Sequence, residues 1–198
     1  MESCGRGEGT MLAVGLPEDE ALALIARHDR TVTISAINGP RSITLSGSRT
    51  SLEAMAAELE AQGAFARLVR VDHPFHHPLM RPASEALEVA LADFKPQPGA
   101  VPFFSTVTGE RCAGESCNAA YWARGIREPV RFASAVGALA DFGAEVWLEL
   151  NAHPALAHPV QECLSSRGAK TTAFSSARPA NPSSRRESQN VSTFTIVV

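Results

Sequence analysis

Three histidines crowd into one short stretch, Val71 to Met80, which reads VDHPFHHPLM. Imidazole titrates near neutrality and is the commonest general base, so His73, His76 and His77 are the first candidates for chemistry. Pro74 and Pro78 break both helix and central strand, so the three rings cannot share one face of a regular element. The stretch is predicted as a strand-to-helix turn, where functional side chains are commonly presented. One reading makes His76 a general base; against it stands a histidine that packs beside Phe75 or caps the helix after Pro78. A zinc site is the other chemistry, weakened because adjacent His76 and His77 point apart and only Asp72 adds a second ligand type nearby. Metal is therefore not expected.

A base needs a nucleophile, and the sequence holds no GxSxG elbow. The nearest candidates, SGS at 46–48 and GESC at 114–117, fall in turn or loop contexts rather than between a strand and a helix. His153, in NAHP after the apolar run EVWLEL, either faces the same site or shapes the turn before a helix starting near Pro154. Phe75 either lines a pocket or belongs to the core, where Trp122, Phe132 and Trp147 are expected.

The elements that would position these residues follow from pattern. Residues 1–10 form a polar, Gly-rich lead-in without periodicity, expected to be disordered. MLAVGL is a strand, and Pro17 opens the helix EDEALALIARH, whose leading acids and closing His28 suit the macrodipole. TVTISAI and RSITLSG flank the turn signal Asn38-Gly39-Pro40 as a hairpin. Ser48 or Thr50 caps SLEAMAAELEAQG, with Leu52, Met55, Ala56 and Leu59 as its apolar stripe, and FARLVRV is a fourth strand. The order over residues 11–71 is βαββαβ, the ferredoxin-like pattern of two helices on one face of an antiparallel sheet.

From residue 72 to 176 the character changes. An amphipathic helix, PLMRPASEALEVALADF, precedes VPFFSTV, expected as a strand buried on both faces. EVWLEL, ALAHPVQECLSS and TTAFSS continue as strand, helix and strand, so this half predicts part of a parallel sheet and the chain as a whole is α/β (α+β). Residues 177–198 are expected to be a disordered tail, with the β-prone STFTIVV left without a partner strand.

Composition excludes several functions. A net charge of −3 with scattered arginines gives no electrostatic footprint for nucleic acid. Nowhere do about 18 apolar residues run together, and the N-terminus lacks a basic region followed by an apolar run, so neither a membrane span nor secretion is expected. The four cysteines show no CxxC spacing, which predicts free thiols and a reducing, cytoplasmic setting.

Taken in order, MLAVGL, SAINGPRSITLSG, RVDHPFHHPLM, VPFFSTVTGE, YWARGIREPVRF and EVWLELNAHPAL resemble the C-terminal half of the acyltransferase domain of type I polyketide synthases. The malonyl-CoA:acyl carrier protein transacylases of fatty acid synthesis are relatives of that family. The resemblance covers about residues 11–176. It implies an α/β-hydrolase-like core, of which 72–176 is the C-terminal part, carrying an inserted ferredoxin-like subdomain at 11–71. It implies that His76, matching the last histidine of the family's HAFH or YASH tetrad, takes the proton of a serine. That serine accepts a malonyl-type acyl group from coenzyme A and passes it to the phosphopantetheine thiol of an acyl carrier protein.

Gly125 stands where the family has an asparagine whose main-chain carbonyl orients the histidine. NAHP matches a GPHP turn, with Asn151 and Ala152 as replacements. His73, Phe75 and His153 are the expected substrate-binding residues, a bulky Phe at this place going with malonyl units through a steric preference of about 1 to 3 kcal/mol per methyl. The family's serine elbow, malonyl-gripping arginine and glutamine-containing oxyanion loop have no match in this sequence. The chain is therefore expected to be a fragment of a polyketide synthase polypeptide, with little activity alone, an apolar face prone to association and no covalently bound cofactor. The alternative is a noncatalytic remnant or docking module.

Overall fold

A computed structural model describes residues 9–150, 155–168, 172–175 and 193–196, the last two stretches by their main chain. In β1 (Gly9–Val14) Leu12 and Val14 are buried, and α1 (Glu18–His28) buries Ala21, Leu24 and Ile25 against them. The hairpin of β2 (Thr33–Gly39) and β3 (Ser42–Ser48) turns at Pro40-Arg41, one step later than the Asn-Gly signal suggests. Ser48 caps α2 (Arg49–Ala61) by accepting a hydrogen bond from the Ser51 amide at 3.1 Å, and the predicted stripe of Leu52, Met55, Ala56 and Leu59 is buried. Only Ala66–Leu68 of the expected fourth strand pairs, as β4.

The four strands lie in the order β2-β3-β1-β4 with every neighbouring pair antiparallel. Side chains alternate across a strand. In β3, Ile43 and Leu45 join the helices in one core, while Thr44 and Ser46 are buried on the opposite face. That second, polar face receives the histidine stretch. His28, expected to serve only its helix end, reaches across to Glu58 of α2, which Arg27 also grips; both partners hold the Glu58 carboxyl down at about 2.

Beyond the histidines, a 3-10 turn (Pro78–Met80) leads into α3 (Arg81–Ala90), shorter than its apolar pattern. Of that pattern Leu79 and Phe94 are exposed, as is Val89 at 77 %, and Trp122, expected in the core, is also exposed. VPFFSTV is corrected more sharply: β5 (Phe103–Ser105) pairs antiparallel with β6 (Glu110–Cys112) in a two-stranded ribbon, not in a parallel sheet. The reason is local. Ser105 Oγ accepts from the amides of Val107 and Thr108, and Gly109 adopts φ +80° to return its own amide to the Ser105 carbonyl at 2.8 Å.

After a second 3-10 turn (Gly114–Ser116), α4 (Ala119–Arg127), α5 (Phe132–Asp141), β7 (Val146–Glu149) and α6 (Ala157–Ser166) follow. Phe132, Val136, Leu139, Trp147, Val160 and Leu164 build a second core. β7 pairs in parallel with β8 (Thr172–Ser175), as expected, and also with β9 (Thr193–Ile196). The expectation of a wholly disordered 177–198 is thus corrected at Thr193–Ile196, where a β-prone run finds the free edge of β7. The remainder of that tail and the lead-in through residue 8 lie outside the described residues.

Among the described residues several contacts join the halves, two of them at β2 and at the hairpin turn. Val130 adds one rung to the edge of β2, its amide donating to the Ser35 carbonyl at 2.8 Å and its carbonyl accepting from Ile37 at 2.9 Å. The hairpin turn sits on α6, where the Arg41 amide donates to Glu162 at 3.0 Å.

Candidate active site

The histidine stretch is irregular because its prolines leave it no ladder to join, and the sheet supplies anchors instead. Thr10 Oγ1 donates to the Val71 carbonyl at 3.0 Å and Ser46 Oγ to the Phe75 carbonyl at 2.9 Å. The Pro74 ring fills the space above Gly9, where any Cβ would lie 2.7 Å from it. Held on both sides, the chain turns through His76 at φ +56°, the one non-glycine residue with positive φ among those described. Such a conformation costs free energy and persists where the surroundings impose it, commonly at functional positions.

The surroundings come from α4 and the segment that leaves it. The His76 amide donates to the Ile126 carbonyl at 3.0 Å, and Nδ1 lies 3.1 Å from the Glu128 carbonyl. A carbonyl only accepts, so Nδ1 carries the hydrogen and the neutral ring keeps its lone pair on Nε2. The Gly125 carbonyl, expected to hold the ring, acts on it together with that of Glu128. Glu128 leaves α4 in an extended conformation, and its carboxylate is gripped by Arg124 at 2.9 Å. Burial pulls the His76 pKa below the usual 6.5, opposed by the two carbonyls, so the ring is neutral at pH 7.

His76 lines a cleft of about 260 Å³ with Thr33, Ile34, Pro78, Arg81, Arg127, Glu128 and Pro129. Its lining carries mixed charge, Arg81 and Arg127 together with Glu128, whose carboxylate lies 3.7 Å from the Arg127 guanidinium. Arg81 opens α3, whose first turn holds no acid, so its charge sits at the positive end of the helix dipole. The arrangement supplies a neutral base beside a cleft of mixed charge.

The other candidates separate. His73 and Phe75 stack on each other, centroids 5.9 Å apart and planes at 17°, and are not among the residues lining this cleft. His77 is structural: Nε2 donates to the Thr31 carbonyl at 2.8 Å and Nδ1 accepts from the Leu79 amide at 3.1 Å. Both its nitrogens are spent, and among the described residues no three His, Cys, Asp or Glu side chains converge on one point. His153 lies outside the described residues. Replacing buried His77 with alanine is expected to destabilise the fold by about 1–3 kcal/mol, read by chemical denaturation, because a cavity opens and the Leu79 amide loses its partner.

Sequence reasoning missed Glu128, because a main-chain oxygen leaves no signature in side-chain type. It also missed Glu149, whose carboxylate accepts from the amides of Ala155, Leu156 and Ala157 and so ties the end of β7 to the start of α6. There a signal existed: an acid shortly before a helix start.

A family profile described as acyl transferase domain matches residues 1–197. Polyketide synthase GfsB of Streptomyces halstedii is 41% identical over 173 residues, 87% of this chain and 3% of that protein. The acyltransferase domain from module 8 of the salinomycin polyketide synthase superposes with a TM-score of 0.82 at 34% identity, over 87% of this chain and 41% of that one. A loading acyltransferase from the avermectin modular polyketide synthase gives 0.81 at 33% identity, over 87% of this chain and 55% of that one. The chain thus spans a small part of the synthase and about half of each solved domain.

Proposed function

The chain belongs to the acyl transferase domain family, and from that premise we propose that it supplies the general base of a polyketide synthase acyltransferase. In this reading residues 11–71 are the ferredoxin-like subdomain and 72–176 the C-terminal part of an α/β-hydrolase-like core. The observation that carries the reading is the His76 ring, neutral and with Nδ1 committed to the Glu128 carbonyl.

His76 Nε2 takes the proton of a serine hydroxyl as its oxygen attacks the thioester carbonyl of a malonyl-type coenzyme A. The imidazolium returns that proton to the departing thiol, leaving an acyl-serine. The phosphopantetheine thiol of an acyl carrier protein then reverses the sequence, giving its proton to His76 and taking the acyl group. Phe75 and His153 stay in this reading as substrate-binding residues on the family resemblance alone, with His73 stacked on Phe75 outside the cleft that His76 lines. The serine belongs to a segment other than this sequence, which has no elbow motif.

The test is reconstitution. Labelled malonyl-CoA is mixed with this chain and a separately produced serine-bearing part of a related acyltransferase domain, and label on the serine part and on carrier protein is measured by mass spectrometry. Transfer in the mixture and none by the chain alone supports the reading; an acyl adduct on this chain alone overturns it. In the reconstituted domain the acid limb of kcat/KM is expected below 6.5, since burial lowers the base's pKa. Between that limb and 6.5 the folded chain binds fewer protons than the unfolded one, so the ring's contribution to stability falls as pH drops through the window.

A further inference from the structure

Away from the cleft two thiols meet. β6 ends at Cys112, and the 3-10 turn that follows brings Cys117 back so that the two Sγ atoms stand 4.0 Å apart. Both are partly exposed, and Cys112 lines a second open cleft, of about 550 Å³, with the stretch 98–103. The turn is fixed by the fold. The amides of Ser116 and Cys117 donate to the carbonyls of Ala113 and Gly114 at 3.0 and 3.1 Å. Gly114 lies so close to the 97–99 backbone that a Cβ there would fall 2.4 Å from the Gln97 carbonyl oxygen. Two sulfurs held in register, with no group of three His, Cys, Asp or Glu side chains placed for a metal among the described residues, are suited to redox chemistry.

The pair is asymmetric. Burial, and next the neighbouring Cys112, push the Cys117 thiol up to about 11, so Cys117 keeps its proton; either sulfur can donate to the other, and the Ala113 carbonyl is an acceptor for both, 3.5 Å from Cys112 and 3.8 Å from Cys117. Cys117 also directly precedes Asn118, whose side chain caps α4 by accepting from the Tyr121 amide at 3.0 Å. A bond at this place fastens the start of the helix that ends beside His76.

We propose that Cys112 and Cys117 are a peroxide-sensitive thiol pair, Cys112 being oxidised and Cys117 resolving it to an intramolecular disulfide. The Cys112 thiolate attacks one oxygen of hydrogen peroxide; an S–O bond forms, the O–O bond breaks, and the departing hydroxide takes a proton to leave as water. Cys117 then attacks the sulfenic sulfur; the S–S bond forms, the S–O bond breaks, and the second hydroxide leaves as water with the Cys117 proton. Two electrons pass from the sulfurs to each peroxide. The sulfurs close to about 2.05 Å, a movement that χ1 rotation of two partly exposed side chains supplies.

Cleavage after Arg111 and Arg124 puts both cysteines in one tryptic peptide, CAGESCNAAYWAR. The full chain is treated with equimolar hydrogen peroxide, denatured, alkylated with N-ethylmaleimide and digested. The expected peptide is about 2 Da lighter than its dithiol form and carries no adduct, while buried Cys163 is alkylated in full. In Cys117→Ser, dimedone traps a sulfenic acid on Cys112; in Cys112→Ser, labelling of Cys117 is at least about tenfold slower. Two alkylated cysteines in the peroxide-treated peptide, a disulfide between two chains on a non-reducing gel, or faster dimedone labelling of Cys117 than of Cys112 overturns the proposal.

Discussion

His76→Ala is expected to slow acyl transfer by about 10²- to 10⁴-fold in the reconstituted domain, the range that a positioned acid–base group supplies. On the proposed mechanism the loss should appear in kcat/KM for acylation of the serine, followed as the burst of labelled acyl-enzyme, and equally in transfer from it to carrier protein. The fold should survive. The His76 side chain makes its bonding contact with a main-chain oxygen and stands only partly buried, and alanine tolerates the amide bond to Ile126. Far-ultraviolet circular dichroism of the variant should overlay that of the parent. Transfer that continues at the parent rate would mean that another group takes the serine proton. His77→Ala is the matched control, with stability lowered and the chemical step retained.

Phe132→Ala is expected to have the largest effect on stability, about 3–5 kcal/mol, the cost of emptying a buried aromatic site. Phe132 is 1 % exposed and opens α5 in the second core. Its chain neighbour Arg131 donates its amide to the Thr106 carbonyl at 2.6 Å, and Val130 before that makes the rung on β2. The substitution therefore loosens the run from Glu128 to Phe132 that carries the ring's acceptor. Urea titration followed by Trp147 fluorescence, in the same core, should show the transition moving to lower denaturant. Cores tolerate Leu better than Ala at such a site, so Phe132→Leu should recover part of the loss. If Ala and Leu behave alike, packing at this position does not set the stability.

The first half was legible in sequence because each of its elements carries its own local signal. The acid-to-histidine polarity of α1, the Ser48 cap and the 52-55-56-59 stripe all state an element without reference to the rest of the chain. The second half was less legible because its elements are defined by partners. VPFFSTV looks like a buried strand until Ser105 and Gly109 fold it back on itself, and a hydroxyl that organises a turn resembles any other serine in a strand. STFTIVV lacked a visible partner because parallel pairing across some 45 residues leaves no local trace. The site divides the same way. The cluster VDHPFHHPLM marks the place, but which of two adjacent rings holds the structure and which is free for chemistry depends on carbonyls at Thr31 and Glu128.

The single rung between Val130 and β2 has a consequence for control. The imidazole rides on the stretch fixed by Thr10 and Ser46, whereas its acceptor rides on the strand-like segment leaving α4. Tautomer and alignment thus depend on two chain segments pinned to one sheet, the ring's through β1 and β3 and the acceptor's through β2, so the sheet's own register sets the proton acceptor without a dedicated side chain.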